Sequence, residues 1–173
     1  MKPTLYIETS VISYLASRTS RDLIVAAHQE ITREWWEEHR SEFDLCSSEV
    51  VIEEASLGDE QTARKRISYL ENIALLEVNK EATQLAQLFI EQGPLPSTAV
   101  NDALHIAITT VHQKELLLTW NCKHIANPIM QKSLEKICTK NGYEKPTMCT
   151  PQDLLGKRSE EHTSELQSPY VIS

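Results

Sequence analysis

The sequence predicts an α/β protein in which a central parallel sheet lies between helical layers. Three observations lead there. Short apolar runs rich in β-branched and aromatic residues alternate along the chain with longer stretches of helical period, the pattern of parallel strands joined by helical crossovers. The 173 residues suffice for one domain with a full core but not for two. No internal repeat or low-complexity segment interrupts the alternation.

The first strand is expected in "TLYIE", and Thr9 or Ser10 is placed to cap the helix that "VISYLAS" begins. In "RDLIVAAHQEITREWWEEHR", Leu23, Ala27, Ile31 and Trp35 recur near helical spacing, which predicts an amphipathic helix packed through Trp35 and Trp36. "FDLCSS" reads as a second strand, followed by a helix in "SEVVIEEASLGD" that stops at Gly58. "DEQTARKRISYLEN" gives a further helix and "IALLEV" a third strand. "KEATQLAQLFIEQG" is a helix closed by Gly93 and Pro94.

The cleanest helical pattern, "STAVNDALHIAITTVHQ", begins at Ser97 or Thr98 as cap and carries Val100, Ala103, Leu104, Ala107, Ile108 and Val111 on one face. "ELLLTW" is a fourth strand, "NPIMQKSLEKICTKNG" a helix ended by Gly142, and "TMCT" a last edge strand. The domain is expected to occupy residues 1–156. The remaining stretch, 157–173, lacks sustained periodicity and reads as a non-native or disordered tail.

Composition excludes several classes. With 40% hydrophobic and 24% charged residues, the chain is neither disordered nor fibrous. No apolar run reaches the length of a membrane span and no signal pattern opens the chain, so a cytoplasmic protein with no membrane partner is expected. Cys46, Cys122, Cys138 and Cys149 are widely spaced without a CxxC pair, which predicts reduced and mostly buried thiols. A net charge of −8 argues against a broad basic surface that coats nucleic acid, yet it is compatible with an acidic pocket that cuts it around a metal.

In open parallel sheets, ligands bind outside the carboxyl ends of the strands. Glu8 ends the first strand, Asn121 lies just past the fourth, and Asp102 falls in the first turn of its helix. Glu53 and Glu54 follow the second strand. Carboxylates brought together with no lysine among them repel unless a cation joins them. Hard oxygen donors of this kind suit Mg²⁺ or Mn²⁺.

The segments "YIETSV", "SSEVVIEEASLGD", "DALHIA" and "LLTWNCKHI", in this order and spacing, resemble the motifs of PIN-domain proteins, particularly VapC-like toxins of toxin–antitoxin pairs; the likeness spans roughly residues 4–155. The resemblance implies a three-layer α/β/α PIN-like fold and a metal-dependent ribonuclease. Its acids map to Glu8, Glu54 (four residues before a glycine, in preference to Glu53) and Asp102, as metal ligands directly or through water. Asn121 stands where a further acid is usual, and Glu8 where an aspartate is usual. Thr9 and Ser10 are expected to hydrogen-bond a ligand carboxylate or a substrate phosphate, and Lys123 and His124 to line the rim, where phosphate contact and plain solvation are both open. His105 either hydrogen-bonds within the helix packing or contacts a carboxylate. His28 and His112 read as packing or surface residues, and Trp120 as packing rather than a base-stacking platform.

The implied partners are an RNA substrate, a cognate antitoxin and a second copy of the chain in a homodimer. A different reading is a PIN-like RNA- or protein-binding regulatory module, catalytically weak or inactive because Glu8 and Asn121 depart from the pattern. A third, an unrelated doubly wound phosphatase or hydrolase, lacks the GxSxG or DxDx motif it needs.

Overall fold

In the computed structural model, which describes residues 1–155, five short strands form one sheet. The expected tail at 157–173 lies outside the described residues. In chain order the elements are β1 (Thr4–Ile7), α1 (Thr9–Ala16), α2 (Leu23–Glu38), β2 (Asp44–Ser48), α3 (Glu49–Ala55), α4 (Glu60–Tyr69) and β3 (Ala74–Leu76). Then come α5 (Lys80–Glu91), α6 (Val100–Val111), β4 (Leu116–Leu118), α7 (Pro128–Lys140) and β5 (Thr147–Cys149). The strand order is β3-β2-β1-β4-β5, and every pairing is parallel.

This order places β1 at the centre, and its residues show why the sequence there is apolar on both sides. Leu5, Tyr6 and Ile7 are all fully buried, as a strand covered on both faces requires. Leu117 and Leu118 of β4 are likewise buried, whereas β3, at one edge, is half-exposed. Helices α1, α2 and α4 pack together as one group, and α5 packs against α6 and α7 as another. The result is the three-layer α/β/α arrangement expected from the sequence.

Three local expectations are corrected. Neither Thr9 nor Ser10 caps α1: Glu8 is its N-cap residue, no side chain caps the helix, and the two hydroxyls are drawn onto carboxylates instead. Helix α6 starts after Ala99 rather than at Ser97 or Thr98, because residues 96–99 close a turn through Ala99 N–H to the Pro96 carbonyl (2.9 Å). In α2 the inward face is Gln29, Thr32 and Trp35, while Leu23 and Ala27 are exposed. That helix projects its first turns past the core. Gln29 is buried because it ties down the preceding loop, bonding Ser17 Oγ (2.8 Å), the Arg18 carbonyl (2.9 Å) and Ser20 N–H (2.9 Å).

Other termini follow the sequence closely. Asp22 caps α2, Asn79 caps α5 and Asn127 caps α7, each accepting backbone N–H bonds. Gly58 and Gly142 sit beyond helix ends with φ of +85° and +83°. Cys46, Cys138 and Cys149 are buried free thiols and Cys122 an exposed one. Burial pushes the thiols of Cys46 and Cys138 up to about 11 and that of Cys149 to about 12, so they are inert.

Gly93, after α5, is demanded by space. A Cβ there would lie 2.6 Å from the Phe89 carbonyl oxygen and 2.8 Å from Ile137 Cδ1 of α7. Gly93→Ala is therefore expected to lower the unfolding free energy by about 1–3 kcal/mol. In urea titrations it should appear as a lower midpoint at unchanged slope.

Candidate functional site

The strand order reverses direction at β1. The chain proceeds outward through β2 and β3, then returns to build β4 and β5 on the other side. Between the carboxyl ends of β1 and β4 the sheet therefore opens a crevice, the place where such folds bind ligands. The register is direct: Ile7 pairs with Leu118, and Glu8 N–H donates to the Leu118 carbonyl at 3.0 Å. Glu8 and Thr119 thus leave the sheet side by side.

Glu8 is buried, at 5% exposure, and its carboxylate is satisfied on one oxygen. Thr119 Oγ1 donates to Oε1 at 2.6 Å and Ser10 Oγ donates to the same atom. No hydrogen bond falls on Oε2 among the described residues. Ser10 Oγ also accepts from Trp120 N–H (2.8 Å), which locks the strand ends together.

Glu54, in the last turn of α3, reaches the same crevice. Its Oε1 accepts from Thr9 Oγ1 (2.5 Å) and from His105 Nε2 (2.8 Å), and its Oε2 from Asn101 Nδ2 (3.1 Å). Burial alone would raise its pKa, but the hydrogen bond and charge of His105, with the Thr9 and Asn101 bonds, outweigh that and hold it at about 2. His105 is completely buried. Burial disfavours its charged form, yet the Glu54 hydrogen bond and the charges of Glu8, Glu54 and Asp102 together raise its pKa. Glu8, Glu54 and His105 each present a ligand atom within 4.8 Å of the others.

Asp102 stands beside this triplet rather than in it. Its Oδ2 is bonded to His124 Nδ1 at 2.7 Å. Asn121 turns its Oδ1 back onto the loop, accepting N–H bonds from Lys123 (3.2 Å) and His124 (3.0 Å). Lys123 is exposed on that loop. Glu53 does not enter the cluster, so Glu54 is the acid that faces the crevice. Trp120 stacks on His28, with ring centroids 4.1 Å apart, and its Nε1 donates to Thr32 Oγ1 (2.8 Å). His112 Nε2 bonds the Glu77 carbonyl at 2.8 Å.

The structure adds Thr119, Asn101, Tyr6 and Ser48 to the residues that shape the site. Tyr6 OH lies 2.8 Å from His105 Nδ1 and 2.7 Å from Ser48 Oγ. A tyrosine inside a buried strand needs a partner for its hydroxyl, so "LYIE" carried that signal.

The parallel sheet between two helical layers, together with the structural likeness that follows, gives the chain a PIN-like fold. A chain in the crystal structure of VapBC2 from Rickettsia felis, bound to a DNA fragment from their promoter, aligns with this one at a TM-score of 0.54 and 12% identity. The alignment covers 85% of this chain and 98% of that one. No protein-family profile and no curated protein matches the sequence.

The donor set suits a hard divalent cation. Two carboxylates converge, a third lies beside them, and one oxygen of Glu8 is free of hydrogen bonds, with no lysine or arginine bonded to Glu8, Glu54 or Asp102 among the described residues.

Metal-free stability should carry the Glu54–His105 pair as a pH signature. Glu54, depressed from 4.5 to about 2, stabilises the fold fully above 4.5, and that contribution fades as pH falls toward 2. His105, raised from 6.5, stabilises fully below 6.5 and loses its contribution as pH rises through its folded value. In EDTA, the stability lost on Glu54→Gln is expected to be greatest between about pH 5 and 6 and smaller at pH 3. Urea unfolding of both proteins across that range measures it.

Proposed function

We propose that the protein is a divalent-metal-dependent endoribonuclease, hydrolysing RNA phosphodiester bonds as the toxin of a toxin–antitoxin pair. The observation that carries this reading is the convergence of Glu8 and Glu54, with Asp102 beside them, at the switch point of a PIN-like sheet. The likeness of fold to a chain of VapBC2 from Rickettsia felis supports it.

Glu8, Glu54 and Asp102 would hold Mg²⁺ or Mn²⁺. When bound, such an ion supplies Lewis acidity toward a phosphoryl oxygen and makes hydroxide available from water at neutral pH. The residues of the chain do the rest. Ser10 and Thr119 occupy one oxygen of Glu8 and leave the other without a hydrogen bond among the described residues, while Thr9 and His105 hold Oε1 of Glu54 and Asn101 its Oε2. His124 fixes Asp102. The start of α1, where no side chain caps the helix, favours a substrate phosphate, and exposed Lys123 adds a cation at the rim. Asn121 shapes the rim loop through Oδ1 and leaves its NH₂ as a donor toward substrate. An antitoxin would cover the acidic crevice and insert a basic side chain, the charge complement of the cluster. A homodimer is part of the same reading.

One observation favours a second reading, a weak or inactive binding module. Asn121 contributes no charge, and its carbonyl is already committed to the loop. The two readings part on metal. Cleavage of total RNA by the purified protein is expected with Mn²⁺ or Mg²⁺, to be abolished by EDTA, and to fall to background in Asp102→Asn. RNA retained in EDTA without cleavage under any metal condition would favour the binding module. Asn121→Asp adds a fourth carboxylate and is expected to tighten Mn²⁺ binding in isothermal titration, since affinity follows ligand charge; unchanged affinity would place residue 121 beyond the reach of the ion.

A further inference from the structure

We propose that His105 is a positioning residue for Glu54, itself held by Tyr6 and Ser48, so that the Glu54 carboxylate meets a divalent cation in one fixed orientation. The premise is geometric, and its consequence rests on the metal-site reading above.

Glu54 lies at the end of a seven-residue helix and its side chain is one-quarter exposed. A glutamate in that setting has three rotatable bonds and many rotamers to lose. Beside the Thr9 and Asn101 bonds, what restrains it is a ring with no freedom. His105 is at 0% exposure, and both of its nitrogens are engaged, Nε2 with Glu54 Oε1 and Nδ1 with Tyr6 OH, each at 2.8 Å. Tyr6 OH in turn meets Ser48 Oγ at 2.7 Å. The chain Ser48–Tyr6–His105–Glu54 draws on β2, β1, α6 and α3, so four separate elements fix one carboxylate. Tyr6 and Ser48 are themselves fully buried, and no water is needed to satisfy them.

The protonation pattern follows from the partners. An ionised carboxylate only accepts, so Nε2 must carry a proton in either charge state of the ring. Tyr6 then donates to Nδ1 of a neutral ring or accepts from an imidazolium. In both cases the Nε2 lone pair is absent, which makes His105 an orienting donor and not itself a metal ligand. Turning the ring over would break both bonds at once. Groups that orient ligands in this way typically change metal affinity by about 10–100-fold when removed.

Two measurements test this. In the metal-free protein, ¹⁵N NMR should find His105 Nε2 protonated; an unprotonated Nε2 would overturn the role. In Mn²⁺ titrations, His105→Ala is expected to weaken binding by about 10–100-fold. His105→Gln, whose amide N–H replaces Nε2–H as donor, should recover most of that loss. Tyr6→Phe, which keeps the ring volume in β1, should weaken binding by a smaller factor and serves if His105→Ala does not fold. Unchanged affinity in folded His105→Ala or Tyr6→Phe, or a Gln variant no better than Ala, would overturn the positioning role. A wild-type protein that binds no Mn²⁺ would instead overturn the metal reading itself.

Discussion

Bringing Glu8, Glu54 and Asp102 to one end of a sheet sets like charges against each other in a place where water is scarce, and much of the local structure answers that one electrostatic demand. Each acid has its own donors. Ser10 and Thr119 serve Glu8, Thr9, Asn101 and His105 serve Glu54, and His124 serves Asp102. Hydrogen bonds to the ionised form and a nearby imidazole lower the cost of the charge without a lysine or arginine. Compensation of this kind leaves Glu8 Oε2 without a hydrogen bond among the described residues, open to a cation.

The fold makes the crowding unavoidable. Because β1 is flanked by β2 and β4 with parallel register, the residues following Ile7, Ser48 and Leu118 emerge on the same edge. Helices α1 and α3 start there, and the first turn of α6 arrives with Asp102 and Asn101. The hydroxyls that would ordinarily cap α1 are consumed by carboxylates, so the helix begins without a side-chain cap. Local helix stability is given up for the arrangement of the site.

The parts of the structure legible in the sequence are those written in local pattern. The strands β1–β5 and helices α1–α7 follow from apolar runs, helical spacing and terminators such as Gly58 and Gly142. Glu8 and Asp102 could be singled out because each stands at the end of an element, and Glu54 through the family resemblance. What the sequence did not reveal depends on distance along the chain. His105 and Glu54 are 51 residues apart, His105 and Tyr6 are 99 apart, and Glu8 and Thr119 are 111 apart. No period or motif spacing encodes such pairs. The inward face of α2 is not legible for a related reason: its apolar residues follow a helical period, but the core ends before its first turns, and a buried glutamine takes the place of leucine and alanine.

In the proposed metal site these acids gather around one divalent cation. Anomalous diffraction from crystals soaked in Mn²⁺ tests it most directly. A cation held there gives a single strong peak among the carboxylates of Glu8, Glu54 and Asp102, absent from crystals of Asp102→Asn or diminished in them. A crevice with no peak at millimolar Mn²⁺, or a peak elsewhere on the molecule with none in the crevice, would contradict it.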